Sequence, residues 1–215
     1  MMSKGIFISL EGIDGSGKST LKGYILKQLR PEYQMVSVRE PGGTFISEKI
    51  RELLLDVKNE GIVFKTEAIL YAAARSQLVE EVIKPALLNG NIVIADRFMD
   101  STIAYQGFGR GLDIIFLQEL NFLCTGGLKP DITLLLDIDP REGQKRKKTD
   151  IPDRLEKEGI VFQQKVRKGY LQMAGEETER IKVIAADKEV EAVEREAMEY
   201  IRDLITNRWG YNELS

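Results

Sequence analysis

The sequence predicts an α/β fold in which a parallel β-sheet is covered by helices on both faces. Short apolar runs alternate with helical patterns along the chain, the order that builds such a sheet. The runs read as buried strands, and strands buried on both faces belong to parallel sheets. The stretch "GIDGSGKS" sits between the first apolar run and the first helical pattern, where a strand turns into a helix.

The elements follow in order. "GIFISL" (5–10) is the first strand and 18–30 the first helix. "MVSVR" (35–39) is the second strand, and "EPGGT" is a Pro–Gly turn able to start the next helix. Helices are expected at 45–56 and 65–89, the latter kinked or ended by Pro85. "NIVIAD" (91–96), "ITLLLDI" (132–138) and "IKVIAA" (181–186) are the remaining strands, with helices at 113–124, 140–148, 157–174 and 189–208. A chain of 215 residues without repeat or linker is expected to form one domain, residues 1–215. Ligands of such sheets bind beyond the carboxyl ends of the strands, here after residues 10, 39, 96 and 138.

Composition removes several function classes. Apolar residues make up 43% and charged residues 30%, with a formal charge of −3, which argues against a nucleic-acid coat. The absence of histidine excludes Ser–His and Cys–His nucleophiles, histidine metal sites and histidine acid–base chemistry. The one cysteine, Cys124, lies in an apolar context and reads as a core thiol. No apolar stretch reaches the roughly 18 residues of a membrane span, and the N-terminus lacks a cleavage signal, so a cytoplasmic protein is expected.

Gly12, Gly17, Lys18 and Ser19 fit G-x-x-x-x-G-K-[ST], followed by Thr20. Glycines let successive N–H groups turn inward, and the helix starting near Lys18 adds its positive dipole end. Lys18 is placed to reach the β- and γ-phosphates of a nucleoside triphosphate, and the Ser19 hydroxyl to ligate Mg²⁺. No asparagine is followed by lysine, so the guanine-reading segment of a switch GTPase is missing.

The other strand ends carry cations. Arg39 ends the second strand, and Asp96 and Arg97 end the third. Arginines clustered at a sheet edge repel unless an anion lies between them, so Arg39, Arg97 and Arg51 suggest a second phosphate site. Arg51, in "EKIRELLL", has a second reading as a helix ion pair with Glu48 or Glu52. Tyr71 and Arg75 lie four apart on one helical face.

"EGIDGSGKST", "REPGGT", "YAAAR", "DRFMDSTIAYQG" and "DRLE" together resemble the thymidylate kinases, a family of nucleoside monophosphate kinases, from about residue 5 to residue 205. The resemblance implies a P-loop NTPase fold with a five-stranded parallel sheet, a short lid and a homodimer. It implies that ATP and dTMP give ADP and dTDP with Mg²⁺, a step toward dTTP. ATP would lie on Gly12, Ile13, Asp14, Gly15, Ser16, Gly17, Lys18, Ser19 and Thr20, with Arg146 and the turn at Ala186 at its far end. Asp14 would bind the sugar 3′-hydroxyl, and Asp96 would act with Ser19 through Mg²⁺. Arg39, Arg97 and Arg51 would hold the dTMP phosphate, in a turn that includes Glu40 and Pro41. Tyr71 would stack on thymine, Arg75 would donate to its O4, and Ser101, Thr102 and Gln106 would line the base edge. Tyr105 would sit where a ribose 2′-hydroxyl clashes. A donor facing O4 accepts thymine or uracil and rejects cytosine.

The lid is expected at about 145–159, in "KRKKTDIPDRLEKEG". A solvated basic helix end is the other reading of such a run. The loop has no basic residue at Gly15 or Ser16, and family members of that kind supply a lid arginine. Here Lys147 or Lys148 stands in its place, leaving Arg154 and Lys148 as the expected contacts of the transferring phosphoryl group. Two rival functions remain at this point. One is another small kinase, of a different monophosphate or of deoxynucleosides, the latter needing a carboxylate base for which Glu11 and Glu40 are placed; the other is a nucleotide-binding regulator, which would need no acceptor site.

Overall fold

The computed structural model describes residues 5–146 and 154–210. Lys147, Lys148 and the rest of 147–153 lie outside the described residues. Five parallel strands form one sheet: β1 (Ile6–Glu11), β2 (Met35–Arg39), β3 (Ile92–Asp96), β4 (Ile132–Asp137) and β5 (Ile181–Ala185), in the order β2-β3-β1-β4-β5. All five strands fall where the apolar runs place them. The central strand β1 is buried along its whole length, whereas the edge strands β2 and β5 are partly exposed. That difference follows from position, because an edge strand has one open side.

Alternate residues of the central strands feed two cores. Ile6, Ile8, Leu10, Ile92 and Ile94 face one layer, packed on α1 (Lys18–Leu29), α8 (Gly159–Glu176) and α9 (Val190–Trp209). Phe7, Val93 and Ala95 face the other, packed on Leu78, Val79 and Ile83. Register aligns the functional ends: Leu10 pairs with Asp96, and Asp96 with Arg39. The ends of β1, β2 and β3 therefore reach one rim.

α2 (Phe45–Leu55), capped by the Thr44 side chain on Ser47 N–H, packs on α3 (Phe64–Leu78), whose Ala68 joins the first core and Leu78 the second. A π-helical turn, Val79–Ile83, joins α3 to α4 (Lys84–Leu88). Pro85 sits in the first turn of α4 and has no N–H to donate; the wider turn before it passes the chain on without a clash.

One helical segment escapes the sequence reading. It comprises α5 (Met99–Thr102), continuing into a π-helix over Ile103–Gly109. Isoleucine, threonine and two glycines in "STIAYQGFG" lower helix propensity, and the wide turn breaks the 3.6-residue period. What holds it is packing against α8. A Cβ on Gly109 would stand 2.6 Å from the Phe162 ring, and one on Gly169 would stand 2.6 Å from Phe108. The remaining helices are α6 (Ile114–Thr125), capped by Asp113 and ended by Gly126 at φ 64°, and α7 (Pro140–Arg146). Among the described residues no helix is long and apolar enough to cross a membrane.

A buried ion pair ties this layer to the sheet. Arg180 donates to both Asp100 oxygens, Nη1 at 2.7 Å and Nη2 at 2.8 Å, and Thr133 adds a third bond to Asp100. Replacing Arg180 with methionine leaves Asp100 buried without its counter-charge. The expected loss is about 3 kcal/mol or more, read as a lower urea midpoint at unchanged slope.

Candidate active site

The loop between β1 and α1 turns on glycines. Gly12, Gly15 and Gly17 have φ of 136°, 76° and 96°, values that side-chain-bearing residues rarely adopt. Gly15 also meets α7 closely, since a Cβ there would lie 2.0 Å from the Gly143 carbonyl oxygen. Lys18 begins α1, and its ammonium spans the loop, donating to Gly12 O at 3.0 Å and Ile13 O at 2.9 Å. Burial, with the nearby Arg97 charge, lowers Lys18 from 10.5 to about 8.

Arg97 joins this loop to the end of β3. It holds φ at 71°, which costs a non-glycine residue some strain. Its N–H bonds Leu10 O at 2.9 Å, and the next amide, Phe98 N–H, bonds Glu11 Oε1 at 2.6 Å. The guanidinium then reaches back to the loop, donating to Asp14 Oδ1 at 2.6 Å and Gly12 O at 2.9 Å. Tyr105 supports it, with its hydroxyl 3.0 Å from Nη2 and its ring 4.9 Å from the guanidinium carbon.

Two cavities meet at Asp14, Asp96 and Arg97, which line both. The larger, about 810 Å³, runs along Gly15, Ser16, Gly17, Lys18, Ser19 and Thr20. Its far wall holds Arg146, which donates to Ala186 O at 2.8 Å, and continues through Asp187 to Val190. The smaller, about 250 Å³, is lined by Arg39, Glu40, Pro41 and Arg51 at one end. Tyr71, Arg75, Ser101, Thr102, Tyr105 and Gln106 form the rest, with Leu55 and Leu155. Two concave sites sharing three charged residues suit two anionic ligands brought end to end.

Residues 10–197 match the family model "Thymidylate kinase". The thymidylate kinase of Desulforudis audaxviator is 45% identical over 206 residues, covering 95% of this chain and 93% of its own. That of Lactobacillus helveticus is 48% identical over 195 residues, covering 88% and 92%. The crystal structure of thymidylate kinase from Ehrlichia chaffeensis superposes with a TM-score of 0.74 at 35% identity, covering 92% of this chain and 98% of that one. The chain belongs to the thymidylate kinase family.

In this thymidylate kinase fold the expected site residues divide unevenly. Gly12 and Ile13 line neither cavity but supply the carbonyls that Lys18 bridges. Arg39 faces the smaller cavity while its Nη2 donates to both Glu48 oxygens, at 2.9 and 3.0 Å. The Gly43 N–H, with Arg39, holds Glu48 below the usual carboxylate range. Arg39 and Arg51 both donate to Pro41 O, so the cis Glu40–Pro41 turn gathers the two arginines at one point. Asp96 pairs with Lys22 at 3.1 Å.

Arg154 sits away from its expected place, and Arg75 lines the smaller cavity with its donors on protein. Arg154 lines neither cavity: Glu67 takes its guanidinium at 2.6 Å, and Nε donates to Leu54 O at 2.9 Å. Glu67 is wholly buried, and its charge, shared between Arg110 and Arg154, keeps Arg154 on this side of the fold. Arg75, expected to serve the base, is buried against protein partners: Nε on Glu40, Nη1 on Thr102 and Asn121, Nη2 on Phe98 O.

Glu11 and Tyr170 support the site without lining either cavity. Glu11 accepts from Phe98 N–H, Ser101 Oγ at 2.6 Å, Tyr170 hydroxyl at 2.8 Å and Ser9 Oγ at 3.1 Å. It lines neither cavity, and Glu40 is paired with Arg75, so both candidate bases of a nucleoside kinase are engaged elsewhere. A carboxylate ending an otherwise apolar strand was the available signal for Glu11. Tyr170 had none, because α8 brings it from 159 residues away.

Burial, reinforced by the Asp100 charge, pushes Glu11 from 4.5 up to about 7. The folded protein then binds more protons than the unfolded chain between those values, so stability falls as pH rises through the window. The stabilisation present below pH 4.5 and absent above pH 7 is roughly 3 kcal/mol. Glu11→Gln is expected to lose this pH-dependent part, seen as urea midpoints that change less than wild type between pH 4.5 and 7.5.

Proposed function

We propose that the protein transfers the γ-phosphoryl group of ATP to dTMP, giving ADP and dTDP. The observation that carries this reading is the pair of cavities meeting at Asp14, Asp96 and Arg97. ATP fits the larger one, with its phosphates on the loop and Lys18. The dTMP phosphate fits the smaller one between Arg39, Arg51 and Arg97, with the base beside Tyr71.

An oxygen of the dTMP phosphate attacks the γ-phosphorus, the bond to the β-bridging oxygen breaks, and ADP leaves. The attacking oxygen is ionised near neutral pH, so no base is needed and a chain without histidine suffices. Arg97, rigid and at the seam, offsets charge that would otherwise drive the two phosphates apart. Ser19 and Asp96 both line the larger cavity, and a hydroxyl and a carboxylate are the hard oxygen donors that Mg²⁺ takes. Mg²⁺ bound with ATP would neutralise the β- and γ-oxygens. Asp14 is placed for the sugar 3′-hydroxyl and Tyr105 to exclude a 2′-hydroxyl. Residues 1–215 act as one domain with a lid at about 145–159, where Lys148 is the remaining candidate for the phosphoryl group. A cytoplasmic location suits substrates made and used there.

A homodimer completes the proposal. Phe45 on α2, Ile69 on α3, and Ile115, Phe122 and Leu123 on α6 are exposed, and these helices are neighbours. A second copy would cover them.

ADP release measured over a panel of acceptors is expected to be fast with dTMP and absent with thymidine; use of thymidine without dTMP overturns the reading. Arg97→Ala is expected to lower kcat by about 10²–10³-fold. An unchanged kcat removes Arg97 from the reaction. Phe122→Asp with Leu123→Asp is expected to halve the mass seen by light scattering.

A further inference from the structure

Gln106 lines the smaller cavity beside Arg75 and Thr102, and behind it lies a buried carboxylate outside the cavity. Glu67, on α3, has 0% of its surface exposed. Its Oε1 accepts from Gln106 Nε2 at 3.0 Å and from Arg110 Nε at 3.2 Å. Its Oε2 accepts from Arg110 Nη2 at 3.2 Å, with Arg154 Nη2 at 2.6 Å. Arg110 is itself held between the Phe64 and Phe162 rings, 4.6 and 5.0 Å from their centres.

Two guanidinium groups on one carboxylate leave it an acceptor at both oxygens. A glutamine amide has two ends of nearly equal shape, one a donor and one an acceptor. Beside Glu67 the NH₂ end alone is tolerated, so the oxygen end is the one left for the cavity. Thr102 is fixed by the same logic. Its hydroxyl oxygen accepts from Arg75 Nη1 at 2.9 Å, which leaves its proton to give. At this part of the wall Thr102 offers a donor and Gln106 an acceptor, beside Arg75 and its bonds to protein.

We propose that Glu67 is a positioning residue for base choice: by holding Gln106 Nε2 it presents Gln106 Oε1 to the base edge. Thymine and uracil carry a proton on the ring nitrogen next to the 4-carbonyl and match this donor–acceptor pair. Cytosine has a lone pair on that nitrogen and an amino group beside it, and meets both wall groups with like facing like. The inference rests on the reading that the smaller cavity takes a nucleoside monophosphate.

The test is kcat/KM of the full-length protein for dTMP and for dCMP, in wild type, Glu67→Gln and Gln106→Leu. Wild-type turnover of dTMP tests the underlying reading by itself; if it is absent, that reading fails whatever the variants do. A glutamine at 67 offers both a donor and an acceptor, so Gln106 is free to turn over. Gln106→Leu removes the acceptor while leaving Glu67 its two arginines, and keeps the test decisive should Glu67→Gln fail to fold. The dTMP-to-dCMP preference is expected to fall by about tenfold to a hundredfold in each folded variant. Glu67→Gln added to Gln106→Leu is expected to change it no further. A merely structural role would lower both substrates alike, and an unchanged preference in either folded variant overturns the proposal.

Discussion

The site depends on one strained residue. Arg97 holds a left-handed backbone because hydrogen bonds fasten it on both sides, its own N–H to Leu10 O and the next amide to the Glu11 carboxylate. That twist turns its side chain back across the sheet edge onto Asp14 of the glycine loop. Without it the arginine that follows β3 would point elsewhere, and the two cavities would lose the cation of their shared seam. Strain of this kind persists only where surrounding bonds over-determine it, and four donors on Glu11 do so here.

Support spreads outward from that point through buried polar bonds. Ser101 and Tyr170 join Glu11 to the π-helical segment and to α8. Asp100, one residue before Ser101, is clamped by Arg180 at the start of β5. The segment carrying Tyr105 and Gln106 is thus fixed from the sheet on one side and from α8 on the other. Close helix contact at Gly109 and Gly169 makes the second possible. Few of these residues meet a substrate in the proposed reaction, yet each sets the position of one that does.

The sheet and the phosphate loop were legible because their signals are local. Five apolar runs marked five strands, and a turn built from Gly12, Gly15 and Gly17 marks itself. The charged residues at the ends of β2 and β3 were legible by position, and register puts Arg39 and Asp96 at one level. Segment 99–109 was not, because its helix is sustained by tertiary packing against its propensity. Arg154 and Arg75 show the limit for charged residues. Sequence indicates that an arginine needs an anionic partner but not which one. Buried Glu67 took Arg154, which was expected on a phosphate, and buried Glu40 took Arg75, which was expected on the base. Glu67 itself lies in the first turn of α3, in "FKTEAIL", where an acidic residue reads as a solvated helix-start glutamate.

The division of labour among the cations follows from their chemistry. Arginines hold the fixed positions, Arg97 at the seam and Arg75 and Arg110 in buried networks, because a planar fork keeps its charge and its geometry when desolvated. The phosphate loop uses a lysine, whose ammonium at Lys18 burial has already lowered to about 8. Carbonyl oxygens of Gly12 and Ile13 occupy that ammonium weakly compared with a polyphosphate, which pairs with it as a charge. An anion entering the loop therefore stabilises the protonated form and gains more from Lys18 than it would from a lysine already satisfied in water. The same burial that makes Lys18 costly to charge makes it responsive to the ligand, whereas Arg97 stays charged throughout and keeps the seam in place.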